Sequence, residues 1–399
     1  MKNILIVCSY FDGQSTGSLR MRALHKSLLN EGHEVHVFTQ FFAEHHKLKN
    51  IYAPQDIATA IECYSLSLGT VYRAYRKLMY YCFGIRCHSF YRKFICFDGN
   101  KLNGKSLDAV IVSVPQPEFV DVAISVSDLF GCPLFVDFRD GLTFEPLGHN
   151  NWVSSYFNLK LERRAVLKSS AVVSVSDALT DDFESRYLDA SDFYTITNGF
   201  NLGSLKKSSA QVASASIFGT NDGRVNILYS GAIERSRLSI FQSLETFEAA
   251  LHMLDYEARK RLNIVFVGNY SDREALKIKK IGSVMNPVSR TAIFDAQCQA
   301  DYLLLFTGPD QSVVTMKLFD YLVARKPIIS IGNAPTPKRI LFDTGAGHQY
   351  CLAAKKEIAD VLSKLQPVQS SLNTDLDEYN LDSLMGRFAK LVLERMKND

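Results

Sequence analysis

Short apolar runs recur along the chain, most of them leading within a few residues into a polar or glycine-bearing loop. The first is 4–8, five apolar residues that stop at Ser9. Runs of this length bounded by turn residues read as strands buried on both faces. The polar stretch 9–18 carries Gly13 and Gly17. Positions 19–30 then place Met21, Leu24 and Leu28 on one face of a helix, and Gly32 ends it. A second strand is predicted at 35–39. Further strands follow at 109–114, 134–137, 171–175 and 193–197, with helices between them, notably at 156–168 and 177–187. Alternation of strand and helix implies a parallel sheet, complete near Asn198-Gly199.

The pattern then breaks and restarts. Lys206-Lys207-Ser208-Ser209-Ala210 and Gly219-Thr220-Asn221-Asp222-Gly223 make 205–224 read as a linker. Strands are predicted at 225–229, closely followed by Gly231, and at 264–267, followed at once by Gly268, then at 302–306 and 327–331. Helices fit at 240–253, 290–299 and 315–324, and an amphipathic segment at 381–396. The architecture repeats without any repeat of sequence. The expected organisation is an α/β chain of two doubly wound domains. The first spans 1–204, 205–224 links, and 225–374 is the second. A tail at 375–399 carries a helix that crosses back to the first domain. Two such sheets are expected to face a central cleft at the carboxyl ends of their strands, where open α/β sheets bind ligands.

Composition narrows the function. The 399 residues are 47% hydrophobic and 22% charged, with a net charge of only +3, which argues against a nucleic-acid partner. None of the eight cysteines forms a C-x-x-C pair, and no histidine pair has zinc-site spacing, so reduced thiols and no metal site are expected. Asp375-Leu376-Asp377 has the D-x-D form of metal-dependent sugar transferases but stands in a polar stretch and reads as coincidence. The opening apolar run is too short for a secretory leader, and no run approaches the roughly 18 residues of a membrane span. A cytoplasmic protein is expected, with any membrane contact peripheral on the inner face of the plasma membrane.

Five groups of residues are candidates for chemistry. Gly13 and Gly17 lie between the first strand and helix, where a ligand approaches backbone and anions meet a helix N-terminus; the alternative is a plain turn. Asp137, Arg139 and Asp140 cluster at a strand's carboxyl end, where charge is costly unless used or paired; an Asp–Arg brace is the alternative. Arg235 and Arg237 follow the 225–229 strand as phosphate-binding arginines would, or as a solvated loop. Ser312, Thr315, Lys317 and Asp320 open the 315–324 helix, with Lys317 and Asp320 on one face, as an anion site or an exposed pair. The stretch 71–97 holds six basic residues, nine aromatics and no acid. Arg73, Arg76 and Lys77 within it suggest contact with an anionic membrane surface, or a basic-edged helix pair.

Together these segments resemble the GT-B glycosyltransferases of the retaining group-1 (family 4) type. The resemblance spans nearly the whole chain. It lies in Gly32-His33-Glu34-Val35, Val136-Asp137-Phe138-Arg139-Asp140, Val173-Ser174-Val175-Ser176, Thr197-Asn198-Gly199-Phe200, Tyr229-Ser230-Gly231 and Phe266-Val267-Gly268. It is strongest in Lys317-Leu318-Phe319-Asp320-Tyr321-Leu322 followed by Lys326-Pro327-Ile328. The resemblance implies two Rossmann-like domains, 1–204 binding the acceptor and 225–374 binding a nucleoside-diphosphate sugar as donor substrate, with no cofactor and no metal. It also implies a glycan or lipid-linked acceptor, in bacterial surface polysaccharide biosynthesis. It gives Arg235 and Lys317 to the donor diphosphate, Asp320 to the ribose, Asp137, Arg139 and Asp140 to the acceptor side, and the Gly13 loop to closure over the donor. The family's two glutamates eight positions apart are here Ser312 and Asp320, and the histidine many members carry is here Arg139. A nucleotide-sugar 2-epimerase or a non-catalytic scaffold with the same fold are the alternatives.

Overall fold

A computed structural model describes residues 1–8, 11, 16–39, 74–75, 77–79, 102, 104–115, 117–144, 152–188, 190, 192–200, 217–219, 223–233, 240–308, 314–368, 372 and 376–397. The chain divides into two compact units. One is Met1–Asn198 together with Leu381–Asp399; the other is Gly199–Asn380.

The first unit runs β1 (Asn3–Cys8), α1 (Thr16–Asn30), β2 (Glu34–Thr39), β3 (Ala109–Val114), α2 (Pro117–Phe130), β4 (Leu134–Phe138), α3 (Trp152–Lys168), β5 (Ala171–Ser174), α4 (Asp177–Arg186) and β6 (Asp192–Thr195). Its sheet has the order β2-β1-β3-β4-β5-β6, and every pairing is parallel. The continuous apolar runs follow from that geometry. All six residues of β3 and all five of β4 are buried, because helices cover both faces of the sheet.

The second unit runs β7 (Val225–Ser230), α5 (Ile240–Leu251), α6 (Tyr256–Lys260), β8 (Leu262–Val267), α7 (Asp272–Ile278), β9 (Ser283–Met285), α8 (Arg290–Gln299), β10 (Tyr302–Gly308), α9 (Met316–Ala324), β11 (Ile328–Gly332), α10 (Pro335–Thr344), β12 (Gly347–Tyr350) and α11 (Lys355–Lys364). Its parallel sheet has the order β12-β11-β10-β7-β8-β9. Phe218, inside the stretch expected to be a linker, is buried in the core of this unit beside Leu228, Val265 and Leu318.

A last helix, α12 (Leu381–Arg395), belongs to the first unit. Leu384, Met385, Phe388, Ala389 and Val392 pack with Met21, Leu24 and Leu28 of α1 in one buried cluster. Its polar edge is tied down as well: Lys26 Nζ lies 2.9 Å from Asp382, and Arg395 pairs with Asp192.

In each sheet the chain-first strand sits inside, so the strand order reverses beside it. The reversals fall at β1/β3 and at β7/β10. Ligands of open α/β sheets bind at the carboxyl ends of strands at such points.

Candidate functional site

The β7/β10 reversal gathers a connected group of polar side chains in the second unit. β7 ends in Tyr229-Ser230 and turns through Gly231, whose φ of +110° suits glycine alone. β10 leads into α9. Thr315 N-caps that helix, its hydroxyl accepting from Lys317 N at 3.4 Å, so Lys317 stands in the first turn.

From there the Lys317 side chain reaches back to β7. Its Nζ donates to Tyr229 Oη at 2.6 Å and to the Ala232 carbonyl at 3.2 Å, and lies 4.4 Å from the Tyr229 ring centroid. A Cβ on Gly231 would stand 2.5 Å from Lys317 Cε, so glycine is what admits the lysine. Among the described residues no carboxylate lies within ion-pair range of this ammonium. Burial without a counter-charge pushes the Lys317 pKa down to about 8.

The lysine's surroundings are themselves fixed. The Tyr229 hydroxyl donates to the Ala232 carbonyl at 3.1 Å. Ser230 N donates to Tyr321 Oη at 2.9 Å, and Gln297 Nε2 donates to Ser230 Oγ at 3.1 Å, which ties α8 and α9 to the end of β7. Burial pushes the Tyr321 hydroxyl up to about 12, so it stays a neutral acceptor and donor. Asp320, one turn beyond Lys317, has a half-buried carboxylate 3.7 Å from Arg290 Nη2 at the start of α8. Burial raises its pKa, and Arg290 opposes the rise. Lys317 and Asp320 therefore turn to different neighbours. Ser312, Arg235 and Arg237 lie outside the described residues.

The β1/β3 reversal in the first unit gathers a second group. Asp137 is fully buried and forms a two-toothed pair with the equally buried Arg20 of α1. Arg20 Nη2 lies 2.9 Å and Nε 3.1 Å from Oδ1. Arg20 also donates to the carbonyls of Thr197 at 2.8 Å and Ile196 at 2.9 Å. Asp137 thus braces α1 against β4, and its carboxylate has no face open to a substrate. Arg139 and Asp140 are half-buried beyond it. Arg139 Nε donates to Ser113 Oγ at 2.9 Å, and its guanidinium lies against Gly17, where a Cβ would collide with it. Burial lowers the Arg139 pKa, against the raising influence of Asp137 and Asp140.

The turn after Asp140 is held by Glu162 of α3, whose carboxylate is fully buried. It accepts from Leu142 N at 3.0 Å, Thr143 N at 3.1 Å, Thr143 Oγ1 at 2.7 Å, Arg186 Nη1 at 2.7 Å and Tyr187 Oη at 3.0 Å. Gly13, Arg73 and Arg76 lie outside the described residues, and Lys77 is exposed beside Leu78. Among the described residues no cluster of three or more His, Cys, Asp or Glu is arranged to hold a metal, and no helix is long and apolar enough to cross a membrane.

Sequence reasoning missed Arg20, Ser113, Gln297, Arg290 and Glu162, and it placed Tyr229 and Tyr321 in quoted segments without giving either a role. Two of the missed residues left a signal. Arg20 stands four and eight positions before Leu24 and Leu28, on the buried stripe of α1. Glu162 precedes Ala165 and Val166 by three and four on that of α3.

No family model matches the chain, and no curated protein does. Solved structures match over its full length. The N-terminal domain of Candida albicans trehalose-6-phosphate phosphatase superposes with a TM-score of 0.62 at 13% identity, over 99% of this chain and 97% of that one. The α,α-trehalose 6-phosphate synthase of Burkholderia multivorans gives 0.58 at 11%, over 100% and 99%. The sucrose-phosphate synthase of Thermosynechococcus elongatus gives 0.55 at 12%, over 100% of both. The fold is GT-B. Both Rossmann-like domains expected from the sequence are present in this GT-B chain, each with its polar group at the reversal of strand order.

Proposed function

We propose that this GT-B chain binds a nucleoside-diphosphate sugar in its second unit and transfers the sugar, with retention of configuration and without a metal, to a glycan or lipid-linked acceptor in surface polysaccharide assembly. The observation that carries the reading is Lys317. It is a half-buried cation in the first turn of a helix, held by two neutral oxygens, with no carboxylate in range among the described residues. A diphosphate supplies the missing charge, and the α9 N-terminus adds free backbone donors. Positive charge aimed at the departing diphosphate is the chemistry a glycosyl transfer needs, since negative charge grows there as the glycosidic bond breaks.

Arg235 and Arg237, after β7, and Ser312 and Thr315, before α9, are assigned to the same diphosphate and sugar. Asp320 is assigned to the ribose diol, and Arg139 and Asp140 to the acceptor side, with Gly13 and Gly17 beside the donor. The Anabaena HepE structures, with TM-scores of 0.51 and 0.52 at 13% identity, are complexes with UDP and glucose and with UDP, which supports a nucleotide-sugar site.

Calorimetric titration with UDP, GDP and ADP tests the reading. One of the three should bind, and Lys317→Ala should weaken it by about ten- to a hundred-fold, the worth of one charge-assisted bond. Wild-type affinity in that variant would place the donor elsewhere. A putative UDP-N-acetylglucosamine 2-epimerase of Listeria monocytogenes has the same fold, with a TM-score of 0.54 at 11% identity. Epimerised donor formed without an acceptor would replace transfer by that reaction.

A further inference from the structure

α3 presents to solvent a face that none of the assigned groups uses. Trp152, Tyr156, Leu159, Lys160, Arg163 and Leu167 recur at steps of about four along the helix and so form one stripe. Leu161, Ala165 and Val166, on the other side, are in the core. The outer stripe is open: Trp152 is 82% exposed, and Leu188, on the turn after α4, is 85% exposed. Between the stripe and that turn lies a groove of about 490 Å³, whose lining includes Arg186 and Tyr187. Among the described residues the lining holds three cations and no carboxylate. Arg186 is neutralised by Glu162 and Asp182. Arg164 and Lys168, elsewhere on α3, pair with Asp121 and Asp128. Lys160 and Arg163 have no ion-pair partner among the described residues.

We propose that this face docks on an anionic lipid bilayer. Lys160 and Arg163 meet the headgroup phosphates, and Trp152, Tyr156, Leu159, Leu167 and Leu188 enter the boundary of the acyl chains. Charge complementarity decides the occupant. The two free cations sit among apolar groups with no acid in the groove, and lysine is depleted at protein interfaces but favoured at membrane surfaces, where its stem lies on lipid and its head stays in water. Tryptophan and tyrosine at one end of the stripe have the apolar body and polar tip that the interfacial zone favours. The surface is separate in sequence from Arg73, Arg76 and Lys77, and it shares no residue with the donor group.

Trp152 is the chain's single tryptophan, so its emission reports directly on the proposed surface. The full chain is mixed with vesicles of phosphatidylglycerol and phosphatidylcholine. A blue shift with co-sedimentation is expected, lost with phosphatidylcholine alone and weakened by high salt. Lys160→Glu with Arg163→Glu should lower partition at least about tenfold, at an unchanged urea midpoint that shows an intact fold. Leu159→Ser with Leu188→Ser should lower it too. Unshifted emission and protein left in the supernatant with anionic vesicles would overturn the proposal. So would wild-type partition of the charge variant, which would move the contact to other cations. A concentration-dependent shift without lipid, accompanied by a dimer on size-exclusion, would give the face to a second copy of the chain instead. None of these outcomes depends on whether a nucleotide binds.

Discussion

Lys317 shows how one residue's protonation links packing to binding. Burial among neutral groups holds its folded pKa at about 8, below the ordinary 10.5. In the free protein the lysine therefore loses its proton near pH 8, whereas the unfolded chain keeps it until about 10.5. The sign follows. Where the unfolded chain binds more protons, stability rises with pH, so the lysine's contribution to folding improves between those two values. The proposed nucleoside-diphosphate binding should run the other way, because a diphosphate that needs the ammonium would raise its pKa when bound. Affinity should be flat below pH 8 and fall above it, by up to about tenfold per unit. Lys317→Met should bind weakly at every pH with no such fall. Calorimetric titration between pH 6.5 and 9.5, compared across buffers of different ionisation enthalpy, should show proton uptake on binding near pH 8 in the wild type only. A wild-type profile that stays flat to pH 9.5 would mean that Lys317 is not the group that meets the phosphates.

At the scale of elements, the strands that fill the sheet centres were legible because both of their faces are covered. Their apolar runs at β1, β3, β4, β7, β8 and β10 cannot be mistaken for loops. β9 and β12 were not legible. Ser283–Met285 has three residues, and Gly347–Tyr350 buries only Gln349, so neither edge strand needs an apolar run. The position of Lys317 in the first turn of α9 could be read from the sequence, but its partners could not, because Tyr229 lies 88 residues away and no local pattern encodes that meeting. Arg20 and Asp137, 117 residues apart, are the same case in the first unit. Their pair fixes the tilt of α1 on β4 and hence the place of Gly17 against Arg139. Removing one partner leaves the other charged and buried, at a cost of about 3–5 kcal/mol. Arg20→Met should lower the urea unfolding free energy of the first unit by that amount. Arg20→Met with Asp137→Leu should recover part of it, because no lone charge remains. A loss under about 1 kcal/mol in the single variant would show that the pair contributes little beyond its packing.

At the scale of the whole molecule, the two units are not equivalent along the chain. Gly199–Asn380 is continuous, and its ends meet: Phe200 N donates to the Tyr379 carbonyl at 3.1 Å, and Phe200 bridges Asn380. Every described partner of Lys317 and Asp320 lies inside it. Met1–Asn198 is incomplete without Leu381–Asp399, because α12 covers the apolar face of α1. Its six buried apolar residues, Leu381, Leu384, Met385, Phe388, Ala389 and Val392, are worth on the order of 10 kcal/mol as an upper figure, as much as the whole net stability of an ordinary domain. Residues 199–380 produced alone should therefore fold cooperatively and retain the nucleoside-diphosphate affinity proposed for the second unit. Residues 1–198 alone should expose Met21, Leu24 and Leu28 and aggregate. A peptide of residues 376–397 added in trans should restore a soluble complex, seen as a single peak on size-exclusion with an increase in helical circular dichroism. If residues 1–198 are monomeric and cooperatively folded without the peptide, the first sheet closes its own core and α12 serves only to return the chain.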